Sequence, residues 1–467
     1  MSKLTSSLKE ALQACGLKDG MCVSFHHHLR NGDQTLNQVM AEIAAMGIKN
    51  LTVEASSLFE THSPLINHIR EGVVTHIGVN YMAGSLAAAI SEGILPNPVR
   101  FRSHGGRPAA MARGTAKVDI AFIAAPAADP MGNCNGISGP AACGSLGYAM
   151  PDAQYARKVV VLTDCLMPYP LIPASIPENL VDYVVTLPSI GDPEGIVSGT
   201  TRMTRDPVAL TIARYAAQVI EHSGLLKNGF SFQTGAGGAS LAVTQFLKPI
   251  MRQKDIKGSF GLGGITGYLV DMLEEGFFES LLDVQCFDLK AVDSIRRNPR
   301  HQEISATRYA SPLAKSAAVN SLDAVVLGAL EIDTHFNVNV LIDSNGIIAG
   351  GSGGHSDTAA GAKLAMVVAP LYRARLPIIV DKVLCTTTPG DTVDVLITQR
   401  GIAVNPKQTE LKDRLSHAGL PVYPIEKLKE MAESYTGVPT PVKPGGKIVG
   451  EVEYHDGTVI DVIRAVK

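Results

Sequence analysis

Apolar positions fall in short β-branched runs separated by amphipathic stretches along the whole chain. In the first half the runs predict strands at 21–25, 51–54, 73–78, 99–102, 120–124, 159–163 and 181–187, with helices at 35–46, 86–92 and 142–150. The second half predicts strands at 230–233, 259–262, 324–330, 378–380 and 393–398, with helices at 239–251, 268–274 and 358–366. Several strand runs are apolar without alternation, the pattern of a strand covered on both faces. Strand and helix alternation with buried strands predicts an open α/β sheet. A helix over 206–223 starts at Asp206-Pro207, since proline suits a first helical turn. The turn Lys227-Asn228-Gly229 follows it, and places a domain cut near 226. A Pro/Gly-rich stretch then leads to strands at 447–454 and 459–466, joined by the hairpin turn Asp456-Gly457. The first twenty residues read as a short helix without the apolar core of a secretory signal.

The chain repeats itself. Asp119, Asp129, Asn133 and Asn135 return 204 positions later as Asp323, Asp333, Asn337 and Asn339. A second echo pairs the run 181–186 with 393–398, and a weaker one pairs Ser24-Phe25 with Ser231-Phe232. The echoes keep their order, and the long period implies two copies of one domain rather than a solenoid. The expected units are residues 1–225 and 226–467, with a ligand cleft between them. The repeated asparagines are expected to cap tight turns, and Asp119 and Asp323 to be structural.

Composition narrows the classes. Hydrophobic residues make up 45% and charged residues 18% of the 467 positions, enough for a sizeable core. The net charge of -3 and the mixed charges give no basic run, so nucleic acid is not an expected partner. No apolar run is long enough to span a bilayer. The seven cysteines are scattered without metal-binding spacing, which reads as reduced thiols in a cytoplasmic protein and no metal site.

Candidate chemistry lies in loops after predicted strands, where open α/β sheets bind ligands. Gln233-Thr234-Gly235-Ala236-Gly237-Gly238 could aim backbone N–H groups at an oxyanion. Gly261-Leu262-Gly263-Gly264 follows the next strand. The densest loop, Gly350 to Asp357, contains Gly353, Gly354 and His355, and 139–147 is its first-half counterpart. None is a P-loop or a dinucleotide fingerprint, and no GxSxG elbow is present. Cationic candidates lie in the first half: His26, His27, His28 and Arg30 after the first strand, then His104 and Arg107 in Ser103-His104-Gly105-Gly106-Arg107. Arginine suits a carboxylate because guanidinium offers a bidentate fork. A structural salt bridge explains Arg107 equally well, and a surface loop or a metal are other readings of the histidines.

The segments SFHHHLRNGD, SHGGR, ADPMGNCNG, CGSLGYA, TRMT, SFQTGAGGASLA, GLGGIT, EISATRYA, LEIDTHFNVNV, GGSGGHSDTA and GIAVNP resemble the alpha subunits of bacterial citrate lyases, over essentially the whole chain. That family is similar to the family I coenzyme A transferases, which implies two duplicated open α/β-sheet domains of the NagB/RpiA-like type. The resemblance implies a transferase that exchanges acetyl for citrate on a thiol, giving citryl thioester and acetate. The thiol would be a coenzyme-A-like prosthetic group on a partner acyl carrier protein, the gamma subunit, with no cofactor bound covalently to this chain. A citryl-lyase beta subunit would then cleave the product, and the chain would work in an oligomer with no membrane partner.

One departure carries weight. Typical family I transferases use a nucleophilic glutamate, and Gly263 stands where it would fall. Citrate's own carboxylate would then attack the acetyl thioester through a mixed anhydride. Gly235, Gly237, Gly238, Gly263 and Gly264 are the expected catalytic loop positions. His26, His27, Arg30, His104 and Arg107 are expected at citrate, and Gly353, Gly354 and His355 at the thioester arm. An ordinary coenzyme A transferase or thioester hydrolase, and a non-catalytic ligand-binding protein on the same fold, are the alternatives.

Overall fold

The computed structural model describes residues 2–197, 203–235, 237–440, 442–443 and 445–466. Thr201 and Arg202 of the TRMT segment and Ala236 of the glycine loop lie outside the described residues. Two large sheets organise the chain, one of nine strands and one of eight. The first runs Val99–Phe101, Val74–Val79, Leu51–Ala55, Cys22–Phe25, Ile120–Ala124, Lys158–Thr163 and Tyr183–Thr186 in spatial order. The second runs His301–Glu303, Phe278–Cys286, Gly258–Ile265, Phe232–Thr234, Ala324–Gly328, Leu364–Val368 and Val395–Thr398 in the same order. These pairings are parallel, and the antiparallel strand Gly401–Val404 completes the second sheet beside Val395–Thr398. Two like sheets in one chain are the architecture the repeat implies.

The repeated polar residues explain why both copies fold alike. Asp119 accepts a hydrogen bond from the Cys22 N–H at 2.9 Å, and Asp323 accepts one from the Ser231 N–H at 2.9 Å. Asp182 accepts from the Val159 N–H and Asp394 from the Ala365 N–H, at 2.9 and 2.8 Å. Asp129 ties the turn to Asn133 through the Asn133 N–H, and Asp333 does so through that of Asn337. Asn135 and Asn339 each accept from the N–H groups two and three residues further on. Each aspartate closes a strand start or a turn, the local role expected of it. The weak echo, however, is out of register. Ser24 pairs with Ala121 while Gln233 pairs with Val325, so Ser24 corresponds to Gln233 rather than to Ser231.

Two predicted helices fold differently, and one predicted hairpin joins the other sheet. Residues 142–148 are loop, and the helix is Ala149–Tyr155. Gly144 has φ +86°, which a helix excludes. Residues 358–366 split into the helix His355–Gly361 and the buried strand Leu364–Val368. A short continuous apolar run has no period that separates strand from helix. Finally, the C-terminal hairpin Ile448–Glu453 and Val459–Arg464 extends the first sheet, beside Val99–Phe101, rather than the second. Glu453 holds it there, accepting from Arg100 at 2.6 Å and Arg102 at 2.7 Å. At the other end, the helix Pro207–His222 packs on Gly238–Gln253 and on the second sheet. The expected cut near 226 therefore separates this helix from the sheet it covers.

Candidate active site

The two halves meet through glycine-rich loops at the carboxyl ends of their strands. Asp357 accepts from the Ser103 hydroxyl at 2.6 Å and from the Gly105 N–H at 2.8 Å, and Gly353 accepts from the His104 N–H at 2.7 Å. Glycine is needed in this seam. A Cβ on Gly351 would lie 2.1 Å from the Asn80 carbonyl oxygen, and one on Gly105 2.0 Å from that of Ala310. Burial pushes the Asp357 carboxyl up to about 7.

Beside the seam lies a cavity of about 890 Å³. From the first half it is lined by His27, Arg30, Phe59, Tyr81, His104 and Tyr148, and from the second by Gln233, Gly235, Gly237, Gly238, Gly264, Phe287, Tyr309 and Gly350 to His355, among others. Its size and mixed lining suit a small-molecule site.

Two arginines line the cavity among the described residues, the exposed Arg373 and the buried Arg30. Arg30 has φ +53°, and its guanidinium carbon lies 5.3 Å from the Phe59 ring centre and 5.1 Å from that of Phe287. The histidines differ from the expected cationic cluster. Burial pushes His26 down to about 4 and His104 to about 3, and holds His27 and His28 well below the usual range, so all four are neutral at pH 7. His26 is committed to the fold, accepting from the Ala124 N–H at 2.8 Å. His27 bonds the Ser56 hydroxyl at 2.6 Å and stacks on Tyr148 with ring centres 4.8 Å apart. Arg107 stands away from the cavity lining. Its guanidinium grips Asp152 in a buried two-point pair at 2.5 and 2.9 Å. His355 lines the cavity with both nitrogens engaged, Nδ1 by the Thr388 hydroxyl and Nε2 by the Gly328 carbonyl.

The glycine loop is also partly engaged. The Gly235 N–H donates to Val326 O at 2.7 Å, and the Gly237 N–H to Gly235 O at 2.9 Å. Gly237 caps the helix Gly238–Gln253, so the N–H groups with no intrahelical partner at the helix start, among the described residues, are those of Gly238, Ala239 and Ser240. All three residues line the cavity. Gly263 sits at a strand irregularity with φ +102°, and a Cβ there would lie 2.8 Å from the Gln233 amide carbon. Among the described lining residues Asp206 is the sole carboxylate, and it caps its own helix through the Ala209 N–H.

The cavity thus joins, from the two halves, a buried arginine, neutral histidines, aromatic rings and glycine loops, with Asp206 as the sole carboxylate among its described lining residues. The family described as citrate lyase, alpha subunit (CitF), matches residues 1–466. The chain belongs to that family.

The citrate lyase alpha chain of Escherichia coli (strain K12) is 53% identical over 465 residues, covering 100% of this chain and 91% of that one. A solved structure described as an alpha subunit of citrate lyase in complex with citrate, from Streptococcus mutans, superposes with a TM-score of 0.98 at 52% identity, covering 100% of this chain and 92% of that one. A 4-hydroxybutyrate CoA-transferase from Porphyromonas gingivalis shares the fold alone, with a TM-score of 0.58 at 16% identity, covering 92% of this chain and 97% of that one. Membership makes the chain an enzyme, the citrate CoA-transferase subunit of a multisubunit citrate lyase. Among the described residues no helix is long and apolar enough to cross a membrane.

The sequence pattern brought Arg30, His27, His104 and parts of the three second-half glycine loops to the cavity, while His26, Arg107, Gly263 and the loop 139–147 stand outside its lining. It missed Phe59, Tyr148, Phe287, Tyr309 and Gln233. A signal existed for Gln233, a polar residue inside the strand that leads into the glycine loop. The aromatics come from separate elements, with no local pattern to join them.

Proposed function

We propose that the cavity holds citrate against Arg30 and brings one citrate carboxylate to an acetyl thioester. The thioester would be carried on a coenzyme-A-like arm of a partner acyl carrier protein, the gamma subunit, in the cytoplasm. A citrate carboxylate oxygen attacks the acetyl carbonyl, and the thiolate leaves, giving an acetyl-citryl anhydride. The thiolate then attacks the citryl carbonyl, and acetate leaves. The products are citryl thioester and acetate, and a beta subunit then cleaves the thioester.

The observation that carries this reading is the lining: a buried arginine with Asp206 as the sole carboxylate among the described residues. A glutamyl thioester needs a glutamate, and none is among the described lining residues, whereas citrate brings its own carboxylates. Holding both reactants in one cavity can replace much of that covalent assistance, since effective molarity is worth up to ~7–11 kcal/mol. The N–H groups of Gly238, Ala239 and Ser240 would steady each oxyanion, a donor of that kind being worth ~3 kcal/mol. Gly353 and Gly354 would lie along the thioester arm.

Incubating the purified chain with acetyl-coenzyme A and labelled citrate tests the assignment. Label in a thioester with matching acetate release is expected. Acetate release without labelled thioester would make it a hydrolase, and binding without either product would make it a ligand-binding protein.

A further inference from the structure

Gln233 is the buried middle residue of the strand Phe232–Thr234 and lines the cavity. Its Nε2 donates to the Tyr309 hydroxyl at 2.9 Å. Its Oε1 is buried with no hydrogen-bond partner among the described residues. An unpaired buried acceptor is costly, and in a ligand cavity it marks where a donor binds. The same amide fills the space in front of Gly263, where a side chain would meet it at 2.8 Å. A neutral amide thus fills the space that a side chain at position 263 would need.

The free group is an acceptor, so its partner must be a donor. Citrate at neutral pH is three carboxylates, which only accept, and one hydroxyl, which donates. We propose that Gln233 Oε1 accepts the hydroxyl of citrate, with Tyr309 as the positioning residue that holds the amide, so that this pair selects a 2-hydroxy tricarboxylate over its deoxy analogue. The inference rests on the citrate reading of the cavity. It also gives the selection a purpose. The hydroxyl oxygen is the atom that becomes a ketone when the citryl thioester is cleaved. A thioester made from a tricarboxylate without it could not be cleaved, and would block the carrier.

Calorimetric titration of the chain with citrate and with tricarballylate, which lacks only the hydroxyl, tests this. Wild-type protein is expected to prefer citrate at least tenfold. Gln233→Leu is expected to lose roughly tenfold in citrate affinity and nothing in tricarballylate affinity, the size of one buried hydrogen bond. Tyr309→Phe keeps the ring and releases the amide, and is expected to lower the ratio in part. A preference unchanged in both variants overturns the inference while leaving the citrate site standing. A drop in affinity for both ligands alike in both variants also overturns it, because the role would then be packing. If the variants instead weaken only acetyl-thioester binding, the donor is an amide N–H of the arm, and the inference fails. Absence of citrate binding to the wild type would remove the citrate reading itself.

Discussion

Arg30 of the first half and Phe287 of the second meet across the cavity, with the guanidinium carbon 5.1 Å from the ring centre. A cation held against an aromatic ring in a buried site is steadied by ~0.5–2 kcal/mol. Phe287 is itself placed by a glycine, since a Cβ on Gly264 would lie 2.2 Å from the ring. Gly264→Ala is expected to push the ring away, at a cost of ~1–3 kcal/mol for overpacking. The citrate KM should rise several-fold while circular dichroism stays unchanged. An unchanged citrate KM would detach Phe287 from the role of Arg30.

The two arginines read from the sequence should separate by experiment. Arg30→Ala is expected to raise the citrate requirement by about one to two decades, with little change toward the acetyl thioester. Arg107→Ala leaves Asp152 buried without its partner, which costs ~3–5 kcal/mol of stability. Its melting temperature should fall, and the surviving enzyme should keep its citrate dependence. Kinetics and melting on both proteins decide; a raised citrate KM in stable Arg107→Ala protein would return Arg107 to the site.

Oxygen tracing distinguishes direct attack from an enzyme thioester. With citrate carrying heavy oxygen in its carboxylates, a single turnover on acetyl thioester should yield acetate with one heavy oxygen. An enzyme carboxylate would supply that oxygen itself in the first turnover. Unlabelled first-turnover acetate would therefore rule out the anhydride route.

Asp357 should make stability depend on pH. Its carboxyl lies at about 7 when folded, against 3.8 as the ordinary value, because burial disfavours the charge. Folding takes up a proton between these values, so its contribution is greatest below about 4, falls as pH rises, and is lost above about 7. Asp357→Asn keeps the shape without the charge. The melting temperature of the variant minus that of the wild type should rise from pH 5 to pH 8. A flat difference would mean that Asp357 does not titrate in this range.

The sequence by itself determined what depends on near neighbours. Asp129 with Asn133 and Asp333 with Asn337 close turns within four residues, so their pattern was legible and revealed the duplication. Glycine loops after strands were legible too, because few other residues tolerate such backbone. The tertiary structure alone decided which side chains share a space. Arg107 and Asp152 are 45 positions apart, and nothing local pairs them. The strand Leu364–Val368 became a strand because two flanking strands cover its edges, not because of its own period. The hairpin Ile448–Glu453 and Val459–Arg464 crossed to the first sheet because Arg100 and Arg102 wait there for Glu453. The histidines next to Arg30 look cationic in the sequence. Burial makes them neutral and leaves the charge on the arginine, because desolvation is a property of the packed molecule and not of the residue.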